Sequence, residues 1–558
     1  MRMPLMRFTI VAAVALLAAC ASQPKSPAPP PPAPAPMAPA AIAEHVKVLA
    51  SDAFEGRRPG TPGEEKTLAY IIAQFEAAGL KPGGAAGSWT QDVPLLASAV
   101  ANAPALKIAA RGREKEYAYG ADQVIWTKRE EARIALKNAP LVFVGYGVNA
   151  PERKWNDYAR ANIKGKIAVI LVNDPDFYGA KHQLFGGKAM TYYGRWTYKF
   201  EEAARQGAAG ALIVHETDPA AYGWGVVQSS NMGEKFGLAA ADKGASRAPL
   251  EGWITHETAI DLFRRAGLDY EKLKAAAQLQ GFRARPLNAN VSVTLETTFR
   301  TVMSKNVVGA ASGAGAPGET VIYTAHWDHF GRCPPVNGDD ICNGARDNAT
   351  GVAGLIEIAR AYKAAPPTRR SIVFLAVTAE EQGLLGSEYY AQHLLFPPAL
   401  TAANINMDIL PIGGPSRDVA VVGKGKSTVE DVLAAEAAKQ NRVVVGEATP
   451  ERGSYFRSDH FNFAKIGVPA LDAGAGEDKV DGGVALGHKL REDYVANFYH
   501  KPQDAYAPDW DLTGAAQDLA LYYAVGRAVA DTAVWPEWLP GAEFKALRDA
   551  TAGERAAR

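Results

Sequence analysis

Glu380-Glu381 follow the apolar run Ser371-Ile372-Val373-Phe374-Leu375-Ala376-Val377-Thr378 and precede Gly383. Two adjacent carboxylates at the exit of a buried strand are costly unless positive charge lies between them. A metal ion supplies that charge, so one carboxylate can bind it while the other handles a proton. The chain holds the further donors such a centre requires in His326-Trp327-Asp328, Asp347, Asp408 and His500. At an i, i+2 spacing, His326 can bind a metal while Asp328 fixes its ring. Asp347 lies just ahead of a helix and has two oxygens, enough to bridge two metals about 3.5–4 Å apart. Glu381 and Asp408 add anionic oxygens. Mixed imidazole and carboxylate ligation suits zinc, with positions left open for water. Taken singly, each residue has a plainer reading as a helix start, a cap, a turn or a structural histidine. Taken together at successive strand ends, they read as the site of a hydrolase with two metal ions. His329 and His460 lie near these motifs and read as structural or orienting residues.

The elements that must position these residues begin with an amphipathic helix over Glu64–Ala78. There Leu68, Ile71, Ile72 and Phe75 recur at i, i+3, i+4, i+7. From about residue 300, strands alternate with helices. Strands are expected at Asn306–Ala310, Val321–Ala325, Ser371–Thr378, Ala402–Ile409 and Asp418–Val422. Helices are expected at Gly351–Tyr362, Leu384–His393, Thr428–Gln440 and Leu512–Asp531. Near-continuous apolar strands between helices imply an α/β fold with a mostly parallel sheet covered on both faces. The candidate ligands follow strands, where open α/β sheets form their crevice.

Residues 135–290 have a different texture, with strands expected at Pro140–Tyr146, Lys166–Val172 and Ala211–His215 and a helix at Phe200–Gln206. This stretch reads as a second domain inserted between peptidase segments 42–134 and 291–535, with a tail over 536–558. Its aromatic run Tyr192-Tyr193-Gly194-Arg195-Trp196-Thr197-Tyr198 is either a lid over substrate or internal packing.

Residues 1–20 have the pattern of a targeting segment: Arg2 and Arg7, an apolar run from Phe8 to Ala19, then Cys20. The ending Leu17-Ala18-Ala19-Cys20 resembles a bacterial lipoprotein signal, which implies lipidation of Cys20, an ordinary signal peptide being the alternative. Such a chain would sit in the cell envelope, in the outer membrane facing the periplasm, or be secreted. Residues 21–41 are rich in Pro and Ala and read as a semi-rigid spacer. In an oxidising compartment Cys333 and Cys342 can close a short loop, the alternatives being free thiols or thiolate ligands. The 60 basic and 60 acidic residues balance, which leaves no global field to draw nucleic acid.

The motifs His326-x-Asp328, Asp347-Asn348, Glu380-Glu381, Asn406-Met407-Asp408 and Tyr499-His500-x-Pro502-x-Asp504 resemble family twenty-eight of the zinc metallopeptidases, in the family's order. Leu49-Ala50-Ser51-Asp52-Ala53-Phe54-Glu55-Gly56-Arg57 resembles its N-terminal segment, and the insert resembles a protease-associated domain. The resemblance implies one zinc held by His326 and Asp408, a second by Glu381 and His500, and Asp347 as the bridge. It further implies Glu380 as general base, Asp328 as the residue orienting His326, and Tyr455 as oxyanion donor. Arg346 departs from the small or acidic residue many members have there. The implied activity is a di-zinc aminopeptidase acting on peptides. Rival readings are a carboxypeptidase of the glutamate carboxypeptidase type, a glutaminyl cyclase-like transferase and a non-catalytic receptor-like protein. The carboxypeptidase would need cations for a terminal carboxylate, for which Arg195, Arg346 and Arg457 are available.

Overall fold

The structure, a computed structural model, describes Met1 and residues 35–179 and 183–556. Residues 2–20 of the targeting segment, Cys20 among them, and residues 21–34 of the spacer lie outside the described residues. Ala35–Arg558 form one compact unit. Among the described residues no helix is long and apolar enough to cross a membrane.

Four parallel strands form the centre of the main sheet, in the order Arg370–Val377, Ala316–His326, Thr401–Asn406 and Ala470–Ala475. Antiparallel neighbours extend it, with Arg285–Ala311 beside the first and Asp418–Val421 beside the last. The sheet is therefore mixed, with a parallel core. The continuous apolar runs are explained by burial on both faces. Val321, Tyr323, Ile372 and Phe374 enter the larger core. The intervening Ile322, Val373 and Leu375 enter a smaller core on the other face. The helices Pro39–Leu49, Thr350–Ala364 and Thr513–Asp531 contribute to the larger core. Tyr390, from the helix Leu385–Gln392, and Phe463, from His460–Lys465, contribute to the smaller one.

The segment boundaries differ from the sequence reading in four places. The strand Arg285–Ala311 runs for 27 residues, linking the main sheet to a second one that contains Arg133–Phe143, Ile167–Leu171, Gly210–His215 and Leu250–Thr255. Its alternating burial changes phase at Phe299–Thr301, from odd positions up to Thr297 to even positions from Val302, which hides its length in the sequence. Leu106–Ala110, Arg113–Tyr117 and Gln123–Trp126, placed in the peptidase part by sequence, belong to the second sheet. Conversely Glu234–Leu238, inside the expected insert, pairs with Thr90–Val100 at the edge of the main sheet. Residues 135–290 are thus not a self-contained body. Finally, both ends of the globular part are more ordered than expected. Pro39–Leu49 is a helix that begins inside the spacer reading and buries Ile42, Val46 and Leu49. In the expected tail, Trp538 and Phe544 are buried and Arg548 donates to the main-chain oxygen of Thr401 at 3.0 Å.

Candidate metal centre

Each candidate ligand sits where a central strand or a helix approach ends. His326 is the last residue of its strand, Glu380 and Glu381 follow the strand ending at Val377, and Asp408 follows the strand ending at Asn406. Asp347 lies in the irregular turn Ala345–Ala349 that enters the helix Thr350–Ala364, and its peptide bond to Asn348 is cis. Ala379, Ile409 and His500 have φ of 52°, 59° and 59°, left-handed conformations that turn the chain sharply beside the ligands.

The structure brings together His326, Asp347, Glu380, Glu381, Asp408 and His500. His326 Nε2 lies 3.2 Å from Asp347 Oδ1, 3.3 Å from Asp408 Oδ1 and 3.9 Å from Glu380 Oε2. His500 Nε2 lies 3.4 Å from Asp347 Oδ2 and 3.2 Å from Glu381 Oε2. Asp347 therefore presents one oxygen to each histidine. Two further triads of donors share this space: His326 with Glu380 and Glu381, and His329 with Asp347 and Glu381. The sequence assigns His329 a structural or orienting place beside the ligands. His329 enters the cluster with Nδ1 2.5 Å from Glu381 Oε1. The i+3 spacing from His326 was the available signal.

The surroundings fix these side chains. Asp328 approaches His326 Nδ1 through its main-chain oxygen at 3.1 Å, while its carboxylate is 3.8 Å away and instead accepts the Glu380 N–H at 3.0 Å. Asp328 thus ties the His326 strand end to the Glu380 turn. Ser458 donates to Asp408 Oδ2 at 2.7 Å and itself accepts from Asn406 Nδ2 at 2.7 Å. Asn348 donates to Met407 O and accepts from the Gly351 N–H, joining the Asp347 turn to the Asp408 strand end. A Cβ on Gly351 would meet Asn348 Oδ1 at 2.4 Å, so this contact requires glycine.

Burial opposes charge on Asp347, Glu381, Glu380 and Asp328 alike, and histidine partners overcome it at the first two. Burial would raise Asp347, but His326 and His500 hold it well below the usual carboxylate range. Burial likewise opposes ionisation of Glu381, yet His500 and His329 bring it down to about 2. Glu380 is pushed well up by burial and by the Asp408 and Glu381 charges, against the pull of His326. Burial raises Asp328 to about 8.

The donor set fits metal ions by its own chemistry. Five oxygen or nitrogen side chains converge in two groups that share Asp347, a pattern suited to zinc. His329 Nε2 and Asp328 Oδ2 are buried without a hydrogen-bond partner. Polar atoms left this way are costly unless a ligand completes them.

Other residues singled out in the sequence lie around this cluster. Tyr455 packs against Phe456, His460 and Phe544, its hydroxyl is buried without a partner, and among the described residues no contact joins it to the six clustered side chains. Its phenol is pushed well above the usual range by burial. Arg346 lies over the Tyr494 ring at 4.2 Å and donates to Leu410 O. Arg195 and Arg457 interact electrostatically with each other and with Glu380. In the aromatic run, Tyr193 packs on Phe185 and Trp196 on Phe200 within the 135–290 stretch, while Tyr192 packs on Phe456 and Phe461 of the segment that carries Arg457. Cys333 and Cys342 form a disulfide across the hairpin Gly331–Cys342, with Cα atoms 5.9 Å apart.

Residues 306–524 match the model of peptidase family M28. The chain is 24% identical over 209 residues to aminopeptidase YwaD of Bacillus subtilis, a match covering 37% of this chain and 41% of that protein. It is 25% identical over 269 residues to a probable lipoprotein aminopeptidase, LpqL, of Mycobacterium tuberculosis, covering 45% of this chain and 51% of the other. The chain thus spans about half or less of the length of these curated relatives. Among solved structures, an aminopeptidase from Aneurinibacillus sp. strain AM-1 is similar at a TM-score of 0.48 and 21% identity, covering 88% of this chain and 93% of that one.

Proposed function

We propose that this chain is a zinc-dependent exopeptidase that removes residues from the free amino end of peptides. The observation that carries the reading is Asp347, whose two oxygens face His326 at 3.2 Å and His500 at 3.4 Å. One carboxylate shared by two donor groups is what a pair of divalent ions requires. His326 and Asp408 would hold one zinc, Glu381 and His500 the other, with Asp347 common to both. Zinc, when bound, supplies a lowered pKa for an attacking water and polarisation of the scissile carbonyl.

The chain's own groups complete the reaction. Glu380 is buried beside the cluster, and burial raises the affinity of its carboxylate for a proton. It is thereby suited to take the water's proton and return it to the departing amine. Asp328 holds the Glu380 main chain and the His326 ring in register. Tyr455 is the proposed donor to the oxyanion, a role that requires its unpartnered hydroxyl to reach the substrate. The match to peptidase family M28 and the names of the two relatives, both aminopeptidases, support peptide hydrolysis at the amino end. The name of the mycobacterial relative supports a lipid anchor, which here would be at Cys20 with the protein in the cell envelope. The second sheet, built largely from the 135–290 stretch, is the proposed counterpart of a protease-associated domain.

One observation favours a second reading. Arg195 and Arg457 both interact with the Glu380 charge, and Arg457 is exposed. Two guanidinium groups beside a hydrolytic centre would suit a substrate's terminal carboxylate, as a carboxypeptidase needs. The two readings separate with zinc-loaded protein on matched peptides whose amino end is free or acetylated and whose carboxyl end is free or amidated. Cleavage that requires the free amine and ignores amidation supports the aminopeptidase. Cleavage that requires the free carboxylate transfers the assignment to a carboxypeptidase.

A further inference from the structure

Arg57 is fully buried, and its guanidinium hydrogen-bonds main-chain oxygens from three separate segments. Nε donates to Trp327 O at 2.8 Å, between His326 and Asp328. Nη1 donates to Leu49 O at 2.8 Å, where the first helix ends, and to Asn343 O at 2.6 Å. Nη2 donates to Gly344 O at 2.8 Å, three residues ahead of Asp347. No acceptor in this set is a carboxylate. The charges of Asp504, Asp328, Asp347 and Glu381 act on Arg57 from the surrounding shell.

The segment that delivers Arg57 is itself fastened to the same turn. Asn343 Nδ2 donates to Ala50 O at 2.8 Å and to Asp52 Oδ1 at 2.9 Å. Gly56, at φ 65°, passes so close to the disulfide hairpin that a Cβ would meet Cys342 O at 2.4 Å and Gly331 O at 2.7 Å. A guanidinium has five N–H groups in a rigid planar fork. It can therefore hold several carbonyls at fixed separation. A lysine concentrates its donors on one rotating atom and cannot span them.

We propose that Arg57 is a positioning residue of the metal centre, its fork setting the spacing between the strand end that carries His326 and the turn that carries Asp347. The proposal rests on the zinc reading above. It assigns a role to the N-terminal Leu49–Arg57 segment, which supplies no ligand of its own. A strut that only stabilised the fold would affect folding and zinc binding alike. A strut that spaces the ligands controls zinc affinity even where the fold survives.

The test uses the full chain with Arg57→Lys and, as a variant that leaves no buried charge behind, Arg57→Gln. Zinc affinity is measured by calorimetry, kcat and KM on an aminoacyl substrate, and folding by circular dichroism and thermal unfolding without metal. The expected result is a loss of zinc affinity of about 10- to 100-fold, the size found when groups supporting metal ligands are removed. It comes with a lower kcat at saturating zinc, an unchanged KM and a native circular dichroism spectrum. Wild-type zinc affinity and kcat in either folded variant overturn the proposal. Failure of the wild-type chain to take up zinc overturns the zinc reading itself, and this proposal falls with it.

Discussion

Asp504 accepts the main-chain N–H of Asp347 through Oδ2 at 3.0 Å, and that of Arg346 through Oδ1 at 3.0 Å. It stands four residues after His500, so the segment that supplies one candidate ligand also fixes the carboxylate shared by both groups. Tyr494 adds a hydrogen bond to the same Oδ2 at 3.2 Å. Asp504→Ala leaves two main-chain donors without an acceptor. The expected cost is about 1–3 kcal/mol of stability, from the desolvation of unsatisfied groups. Zinc affinity should fall about 10- to 100-fold, because the shared carboxylate loses its support. Urea unfolding and zinc calorimetry measure the two effects. Wild-type zinc affinity in the variant would show that Asp347 is held by other means.

Glu380→Gln tests the division of labour between the adjacent glutamates. The amide keeps the size of the side chain but cannot accept the water's proton. The expected fall in kcat is about 10²- to 10⁴-fold, with zinc content unchanged by metal analysis. Glu381→Gln should instead lower zinc content, since Glu381 Oε2 lies 3.2 Å from His500. If both variants lose zinc equally, Glu380 is a ligand rather than the base.

Tyr455→Phe separates catalysis from packing. The ring would keep its contacts with Phe456, His460 and Phe544. The hydroxyl removed has no hydrogen-bond partner, so stability should hold or rise slightly. If Tyr455 donates to the oxyanion, kcat should fall about 10²- to 10³-fold, as when a single such donor is deleted. Unchanged kcat would restrict Tyr455 to the apolar cluster.

The central strands and helices were legible because their signals are local. Ser371–Thr378 was expected and Arg370–Val377 is observed; Leu512–Asp531 was expected and Thr513–Asp531 is observed. The candidate ligands could be placed at strand ends for the same reason. What escaped the sequence is long-range. Arg285–Ala311 carries no marker of its passage between two sheets, because its alternation changes phase at Phe299–Thr301 while pairing continues on both sides. Arg57 and Asp504 read as ordinary charges in their motifs. Their partners are main-chain atoms nearly 300 residues away for Arg57 and 157 residues away for Asp504, which side-chain identity does not encode. His329 was set aside because a histidine next to a motif is usually structural, and only the fold brings it to Glu381.

The disulfide predicts a dependence of stability on redox state. Cys333–Cys342 closes the hairpin on which the Gly56 backbone rests. Its removal by Cys333→Ser/Cys342→Ser should lower stability by roughly 2–3 kcal/mol, on the chain-entropy model for a loop of this length. Denaturant unfolding with and without reductant checks this. Equal midpoints for the oxidised and reduced wild-type chain would show that the loop adds no stability.

The histidines of the centre give the metal-free chain a pH dependence of defined sign. Burial opposes the charged form of His500, but Glu381 and Asp347 outweigh it and raise its pKa to about 9. The ordinary value is about 6.5. A folded-state pKa above the unfolded one means that the folded chain binds the proton more tightly. The resulting stability is complete below about pH 6.5 and is lost as pH rises through about 9. Glu381, depressed to about 2, has the opposite window: its contribution is present above its ordinary pKa and is lost as pH falls through about 2. The His500 side chain is 32% exposed, so solvent screens part of its effect. His326, whose pKa is also raised, by Glu380 and Asp408 against burial, supplies more of the same slope. Thermal unfolding in chelator should therefore show stability declining between pH 6.5 and 9.5, and His500→Gln should reduce that decline without abolishing it. Metal ligation requires neutral imidazole, so saturating zinc should remove the dependence and stabilise the chain more at pH 8.5 than at pH 6. An identical slope in wild type and His500→Gln would mean that His500 does not share a field with Asp347 and Glu381, and the two-group centre would lose its second half.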